Sequence, residues 1–225
     1  MPDVEMLKRL ARLLDDRLAG GEAESRLVSK LAAGSAFEAW LSFETRLLAE
    51  ENRELLGLSG HVNWPGGDAI HRYYFANEYR KVDLYIGDLG SDGSDGSDAG
   101  CVAAVEFKLV YNNKNWKSQA DGIWVDLFPS PETREIKAGL NPLVSRAAIV
   151  AFVGKSYRDN SDYPVVPGAF ADWESNVDGY LLGEEGWEGK HIDRQWSGRR
   201  FSVRNEWLDA TNDNFFQLHL FLPRK

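Results

Sequence analysis

The chain has a single cysteine, Cys101, and this scarcity excludes several classes of protein. One cysteine cannot form an intrachain disulfide or supply a cysteine-based zinc site. Nor does it suggest a secreted protein, since small secreted domains depend on disulfides. Cys101 falls at the beginning of a predicted strand, and no activating partner is evident beside it, so a catalytic thiol is not indicated.

Long apolar runs are also missing. No stretch approaches the roughly 20 apolar residues that a transmembrane helix needs. The first ten residues, M-P-D-V-E-M-L-K-R-L, include two acidic residues and contain no apolar signal core. The sequence therefore predicts a cytoplasmic protein without a membrane partner.

Positive charge is in deficit. The chain has 26 lysines and arginines against 35 acidic residues, which gives a formal net charge of −9. Proteins that coat DNA nonspecifically need a basic surface, so that class is disfavoured. A local DNA-binding cleft remains compatible, because a carboxylate-rich metal site is itself negative. The acidity suits a basic protein partner equally well.

The remaining composition is that of one globular domain. The 225 residues are 43% hydrophobic and include 8 Trp, 8 Tyr and 11 Phe, enough for a substantial core. Residues 1–34 are predicted as an N-terminal helical segment, and residues 35–225 as an α/β domain in which helices flank a mixed sheet. Periodicity predicts helices over 3–19, 22–33, 35–56, 114–128 and 169–182, and strands over 72–78, 81–88, 102–110, 146–153, 200–208 and 214–222.

The most informative stretch is V-A-A-V-E-F-K-L-V, residues 102–110. Glu106 and Lys108 alternate with apolar residues, which is the period of a strand, and residues two apart on a strand share a face. The preceding strand, K-V-D-L-Y-I-G-D, carries Asp83. Two carboxylates on adjacent strands can hold Mg²⁺ or Mn²⁺, and a lysine beside them can orient a water molecule. The alternative is an ordinary exposed strand face with cross-strand charge pairs.

The helix predicted over 35–56 carries a further acidic residue. Glu44 lies within an apolar stripe formed by Trp40, Leu41, Leu47 and Leu48. A buried carboxylate needs a partner, so an arginine, a lysine or a metal site should receive Glu44. Alternatively, Glu44 lies at the edge of the stripe and reaches water.

Glu38 has a simpler explanation in the same helix. Ser35 followed three positions later by Glu38 is a capping box, in which each side chain binds the other residue's backbone N–H. The sequence therefore favours a structural role for Glu38 over a catalytic one.

A threefold Ser-Asp-Gly repeat occupies residues 90–100. Its composition is typical of a solvated loop, and its position predicts a connection between two strands. Its aspartates could attract calcium weakly, but the tract lacks the ligand order and the closing glutamate of a dedicated calcium loop.

With these residues in view, the sequence resembles the PD-(D/E)xK nuclease superfamily, whose members have the restriction-endonuclease-like fold. The matching pieces are Glu44 in A-F-E-A-W-L-S-F-E-T, Asp83 in R-K-V-D-L-Y-I, and Glu106 and Lys108 in V-A-A-V-E-F-K-L. The resemblance implies that Asp83 and Glu106 bind Mg²⁺ or Mn²⁺, that Lys108 positions the attacking water, and that Glu44 is the helix acid. Gln119, in the following helix, is a further match to a position that only some members use.

Two features depart from that pattern. Val82 stands where the motif has proline, and the Ser-Asp-Gly tract lengthens the separation between Asp83 and Glu106. A loop insertion of this kind carries a small entropic cost.

The expected function is therefore metal-dependent hydrolysis of phosphodiester bonds in DNA. The alternative is a catalytically silent, nuclease-like protein that binds another protein as an immunity or regulatory partner. A third alternative is a domain stabilised by metal at the Ser-Asp-Gly loop. Many enzymes that cut both DNA strands are homodimers, but no segment of the sequence indicates a two-fold interface.

Overall fold

The computed structural model describes residues 4–21, 37–63, 67–79, 82–90, 100–129, 145–155, 169–204, 208 and 214–224. These residues form four helices, namely α1 (Val4–Leu18), α2 (Phe37–Glu51), α3 (Trp116–Leu127) and α4 (Ala169–Leu182). They also form eight strands, namely β1 (His61–Asn63), β2 (Ala69–His71), β3 (Tyr73–Tyr79), β4 (Val82–Asp88), β5 (Gly100–Tyr111), β6 (Ser145–Gly154), β7 (Ile192–Ser202) and β8 (Phe215–Pro223).

Six strands form one mixed sheet in the order β3-β4-β5-β6-β8-β7. Only the central pair, β5 and β6, is parallel, and the other neighbours are antiparallel. A parallel pair needs a crossover, and α3 lies in the segment that joins β5 to β6. Strands β1 and β2 form a separate two-stranded ribbon. The mixed α/β architecture expected from the sequence is confirmed.

The central strands are covered on both faces. Alternate residues of β5 and β6 pack with α1 and α2 in one hydrophobic core, and the intervening residues pack with α3 and α4 in a second core. This double coverage explains why the sequence of β6 is an almost continuous apolar run rather than an alternating one. None of the four described helices is both long and apolar enough to cross a bilayer.

The N-terminal helix α1 contributes to the first core. Leu7, Leu10, Leu14 and Leu18, which are spaced three or four apart, are each at most 1% exposed. They belong to the same hydrophobic cluster as residues of the sheet. The helix predicted over 22–33 and the domain boundary after residue 34 lie outside the described residues.

The edge strand β7 differs from the prediction. Periodicity predicts a strand over 200–208, whereas β7 spans Ile192–Ser202. Two register shifts against β8, at Arg194/Trp196 and at Ser197/Arg200, interrupt the regular alternation. An edge strand with bulges and one open edge has a weak sequence signal, because few of its side chains are fully buried.

Candidate functional site

The site forms where β4 and β5 stop pairing. The described pairs run from Asp88 opposite Gly100 to Leu84 opposite Val105. Strand β5 continues to Tyr111 beside β6. This extension carries Glu106 and Lys108, and its edge towards β4 is bound by side chains from other elements.

Three successive N–H groups on that edge donate hydrogen bonds to side-chain oxygens. Alternate residues of a strand direct their N–H groups to the same side, which is why the donors are two residues apart. The bonds are 2.7–2.9 Å long and run from Phe107 to Asp83 Oδ2, from Leu109 to Glu38 Oε1 and from Tyr111 to Gln119 Oε1. Strand β4, helix α2 and helix α3 are thus each joined to the same edge of β5.

The register places Asp83 and Glu106 on one face of the sheet. Leu84 and Val105 are paired, and both lie in the core beneath α1 and α2. Their neighbours Asp83 and Glu106 therefore alternate to the face covered by α3. Glu106 is only 4% exposed, and Lys108 follows it two residues later on this face.

Helix α3 fixes the position of Lys108. Lys108 Nζ lies 3.0 Å from Asp126 Oδ2. The aliphatic part of Lys108 approaches Gly122, where an added Cβ would lie 3.7 Å from Lys108 Cε. Gln119, Gly122 and Asp126 are spaced three and four apart and so share one helix face. Gly122 lies against the lysine stem, and Asp126 receives its ammonium group.

The neighbouring carboxylates keep Lys108 protonated. Burial by itself lowers the pKa of Lys108, but the carboxylates of Asp126, Asp83 and Glu38 together raise that pKa above its usual value. The ammonium group therefore carries a full positive charge at neutral pH.

Glu38 is the acidic residue of α2 that the structure brings near Lys108. Burial raises the pKa of Glu38, and the Leu109 N–H bond and the Lys108 charge offset this only in part. The negative charges of Asp83 and Asp126 raise it further. The sequence pattern predicts that Glu38 forms a capping box with Ser35. Ser35 lies outside the described residues, and the structure gives the Glu38 carboxylate a hydrogen bond to β5.

Glu44 lies elsewhere. Its Oε1 accepts a hydrogen bond of 2.7 Å from Arg17 Nε of α1. Ser42 Oγ donates a 2.6 Å hydrogen bond to the backbone oxygen of Asp83. Glu44 follows Ser42 by two residues, or about 200° around a helix, so it points to a different side. The structure pairs Glu44 with Arg17 and does not bring it to the acids beside Lys108. An arginine is one of the three partners expected for the Glu44 carboxylate.

The apolar stripe of α2 also differs from its prediction. Leu41 and Leu48 are buried as expected, but Leu47 is 50% exposed. The buried residues of the helix are Phe37, Leu41, Ser42, Thr45, Leu48 and Ala49, so the buried face is rotated away from Leu47. This rotation of the face takes Glu44 off the core side and turns Glu38 towards β5.

Another lysine, Lys155, follows the carboxyl end of β6 and lies beside Tyr111 and Asn112. The backbone N–H and oxygen of Lys155 both bond the Asn112 side chain, at 2.7 Å. Its Nζ lies 4.4 Å from the centre of the Tyr111 ring. Burial lowers the pKa of Lys155 to about 8.

The residues that could hold a cation at this site are Asp83 and Glu106. Their carboxylate oxygens suit Mg²⁺, a hard cation that takes oxygen ligands and keeps several waters. Within the described ranges no three His, Cys, Asp or Glu side chains converge as a metal centre. A cation held by Asp83 and Glu106 therefore depends on backbone oxygens, water or substrate for its other ligands. The Ser-Asp-Gly tract at 91–99 lies outside these ranges.

Two contributors to the site were missed from the sequence. Glu38 has a local cap signal that accounts for it without the site, and Asp126 belongs to none of the motifs in the sequence. The signal for Asp126 was its spacing of seven residues from Gln119, which puts both on one helix face. Comparison of the chain with protein-family models, with curated proteins and with solved structures found no match.

Proposed function

We propose that the protein is a metal-dependent nuclease of the PD-(D/E)xK type that hydrolyses phosphodiester bonds in DNA. One observation carries the proposal. Asp83 and Glu106 occupy neighbouring strands on one sheet face, and Lys108 follows on the same face with its ammonium group charged. The restriction-endonuclease-like fold belongs to this proposal and is supported by the parallel β5–β6 pair at the centre of a mixed sheet.

Each residue type meets one need of the reaction. Asp83 and Glu106 would hold Mg²⁺ or Mn²⁺, which supplies charge neutralisation at the phosphate and a more acidic bound water. The Lys108 ammonium group donates hydrogen bonds that orient the attacking water and stabilise negative charge on the phosphate. We assign the helix-acid role to Glu38, because Glu44 is engaged by Arg17.

The arrangement is preorganised by hydrogen bonds from four elements, namely β5, α2, β3 and α3. Asp83 is held through its carboxylate by Phe107 and through its backbone oxygen by Ser42 and Asn77. Lys108 is held by Asp126. Groups fixed before substrate arrives need little reorganisation during the reaction, which is the main source of electrostatic catalysis.

The same contacts favour a second candidate, a catalytically silent protein that binds a protein partner. Asp126 already neutralises Lys108, and Asp83 and Glu38 already bind backbone N–H groups. These bonds stabilise a fold without any metal. The net charge of −9 favours a basic protein partner over DNA.

The deciding experiment is cleavage of single-stranded, duplex and branched DNA with Mg²⁺ or Mn²⁺ at about 5–10 mM, the order that saturates a carboxylate site. Wild type is compared with Lys108→Ala. We expect metal-dependent cutting that falls by about 10²-fold or more in the variant, the scale for loss of one charge-stabilising donor. Circular dichroism and thermal melting check that the variant is folded.

A matched pair tests the helix acid. Glu38→Gln and Glu44→Gln each remove one carboxylate from α2, and only Glu38→Gln should impair cutting. Calorimetric titration with Mn²⁺ should show binding that Asp83→Asn and Glu106→Gln abolish. Absence of cutting on every substrate, or equal cutting by wild type and Lys108→Ala, contradicts the nuclease proposal and favours the silent binding protein.

A further inference from the structure

A recess lies at the carboxyl end of α4. Its volume is about 190 Å³. Three aromatic residues line it, Trp124, Tyr180 and Trp187, of which Trp124 is only 1% exposed, and the exposed residues Glu184 and Glu185 lie at its mouth. No lysine or arginine is among the described residues that line it. We call it the α4 pocket.

Three electrostatic features of the α4 pocket have the same sign. Glu184 and Glu185 bring negative charge, and neither forms an ion pair within the described part of the chain. The carboxyl end of a helix carries a partial negative charge, and the last turn of α4 contains no basic residue to balance it. The faces of Trp and Tyr rings are also negative and attract cations.

We infer that the α4 pocket binds an organic cation, either a guanidinium or an alkylammonium group. An apolar wall with a carboxylate mouth suits such groups, because they combine charge with weakly hydrated surface. Nucleic acid is disfavoured as the occupant, since its phosphates would face two carboxylates and a helix carboxyl end. This inference does not rest on the nuclease proposal.

The same aromatic cluster already holds a cation of the chain itself. Lys190 Nζ lies 5.1 Å from the centre of the Trp187 ring and 5.7 Å from that of Phe128. Lys190 is also paired with Glu188, at 3.4 Å. Lys190 thus forms its ion pair with Glu188, and not with Glu184 or Glu185 at the mouth of the pocket.

Gly179 allows the α4 pocket to be closed without straining the fold. It lines the pocket from within α4, and an added Cβ there meets no heavy atom within 4 Å. A leucine at this position would project into open space, and it would also favour the helix relative to glycine. Gly179→Leu is therefore a blocking variant that should fold.

The test is a titration followed by ¹H–¹⁵N NMR at the Trp187 indole N–H and the Gly179 amide. The ligand is N-acetyl-arginine amide, and N-acetyl-citrulline amide is its uncharged analogue. Tetramethylammonium chloride and a peptide with several arginines are titrated separately. We expect saturable shifts with the cations and none with citrulline amide.

Two variants test whether the cation binds in the α4 pocket. Gly179→Leu should abolish binding, and the double variant Glu184→Gln/Glu185→Gln should weaken it about tenfold, as loss of two partly screened charges would. Glu51→Gln/Glu54→Gln removes the same number of exposed charges near α2 and should leave binding unchanged.

Two outcomes separate the sources of the cation, and both support the pocket. Binding of the peptide at least tenfold tighter than the single amino acid identifies a basic protein segment, and equal binding identifies a small molecule. Equal shifts with the citrulline analogue, or shifts unaffected by Gly179→Leu, overturn the inference.

Discussion

The carboxylate of Glu38 accepts a 2.9 Å hydrogen bond from the backbone N–H of Leu109. Through this bond the first turn of α2 is joined to the strand that carries Glu106 and Lys108. Asp83 and Gln119 make the equivalent bond to Phe107 and to Tyr111, respectively. The edge of β5 is thus completed by side chains where its strand partner ends.

Hydrogen exchange should report these three bonds one at a time. Removing an acceptor leaves a partly buried N–H without its partner, which costs about 1–2 kcal/mol. Gln119→Ala should therefore raise exchange of the Tyr111 amide by about five- to thirtyfold, and Glu38→Ala should do the same for Leu109. The measurement is native-state exchange followed by NMR. An equal increase at both amides in both variants would show a shared opening and contradict the one-to-one assignment.

Glu38 should also make stability fall as pH rises. Since burial raises its pKa, the folded state binds this proton more tightly than the unfolded state. The free energy of unfolding therefore decreases between about pH 4.3, the usual glutamate pKa, and the raised pKa of folded Glu38. Glu38→Gln lacks this contribution. In urea unfolding, the free energy of unfolding of Glu38→Gln should therefore increase relative to that of wild type across this pH interval.

Glu44→Gln is the matched control for that measurement. It breaks an ion pair with Arg17, whose side chain is 52% exposed, so the loss should be about 0–1 kcal/mol. Parallel pH profiles for Glu38→Gln and wild type would contradict the raised pKa of Glu38.

Lys108 and Asp126 should be energetically coupled. Their side chains are 25% and 20% exposed, so the pair is partly desolvated. A double-mutant cycle with Lys108→Met and Asp126→Asn should give a coupling energy of about 1 kcal/mol by urea unfolding. Asp126→Glu should recover part of the coupling energy with Lys108. Additive single-variant effects would mean that the 3.0 Å contact does not persist in solution.

Lys155 should make stability rise in mildly alkaline solution. Burial lowers its pKa to about 8, whereas an unfolded lysine has a pKa of about 10.4. Between these values the unfolded state binds more protons, so unfolding becomes less favourable as pH increases, by at most about 1.4 kcal/mol per pH unit. Lys155→Met should lack this rise. Lys114→Met, at an exposed lysine, should keep it, and equal slopes for wild type and Lys155→Met would exclude the lowered pKa.

The sequence by itself determined the local pieces of the candidate site. Alternation of charged and apolar residues places Glu106 and Lys108 on one face of β5, because a strand repeats every two residues. The leucine spacing of α1 and the apolar run of β6 likewise follow from their own residues. These properties depend on backbone geometry and on burial of one face or of both.

Only the tertiary structure decided which acids meet Lys108. Glu38 and Glu44 are both compatible with an amphipathic helix, and the choice depends on how α2 is rotated against the sheet. That rotation is set by the packing of Phe37, Leu41 and Leu48 in the first core, and by the point at which β4 leaves β5. Asp126 reaches Lys108 because α3 lies across that face after the crossover. Contacts between segments far apart in the chain depend on packing, which no single segment specifies.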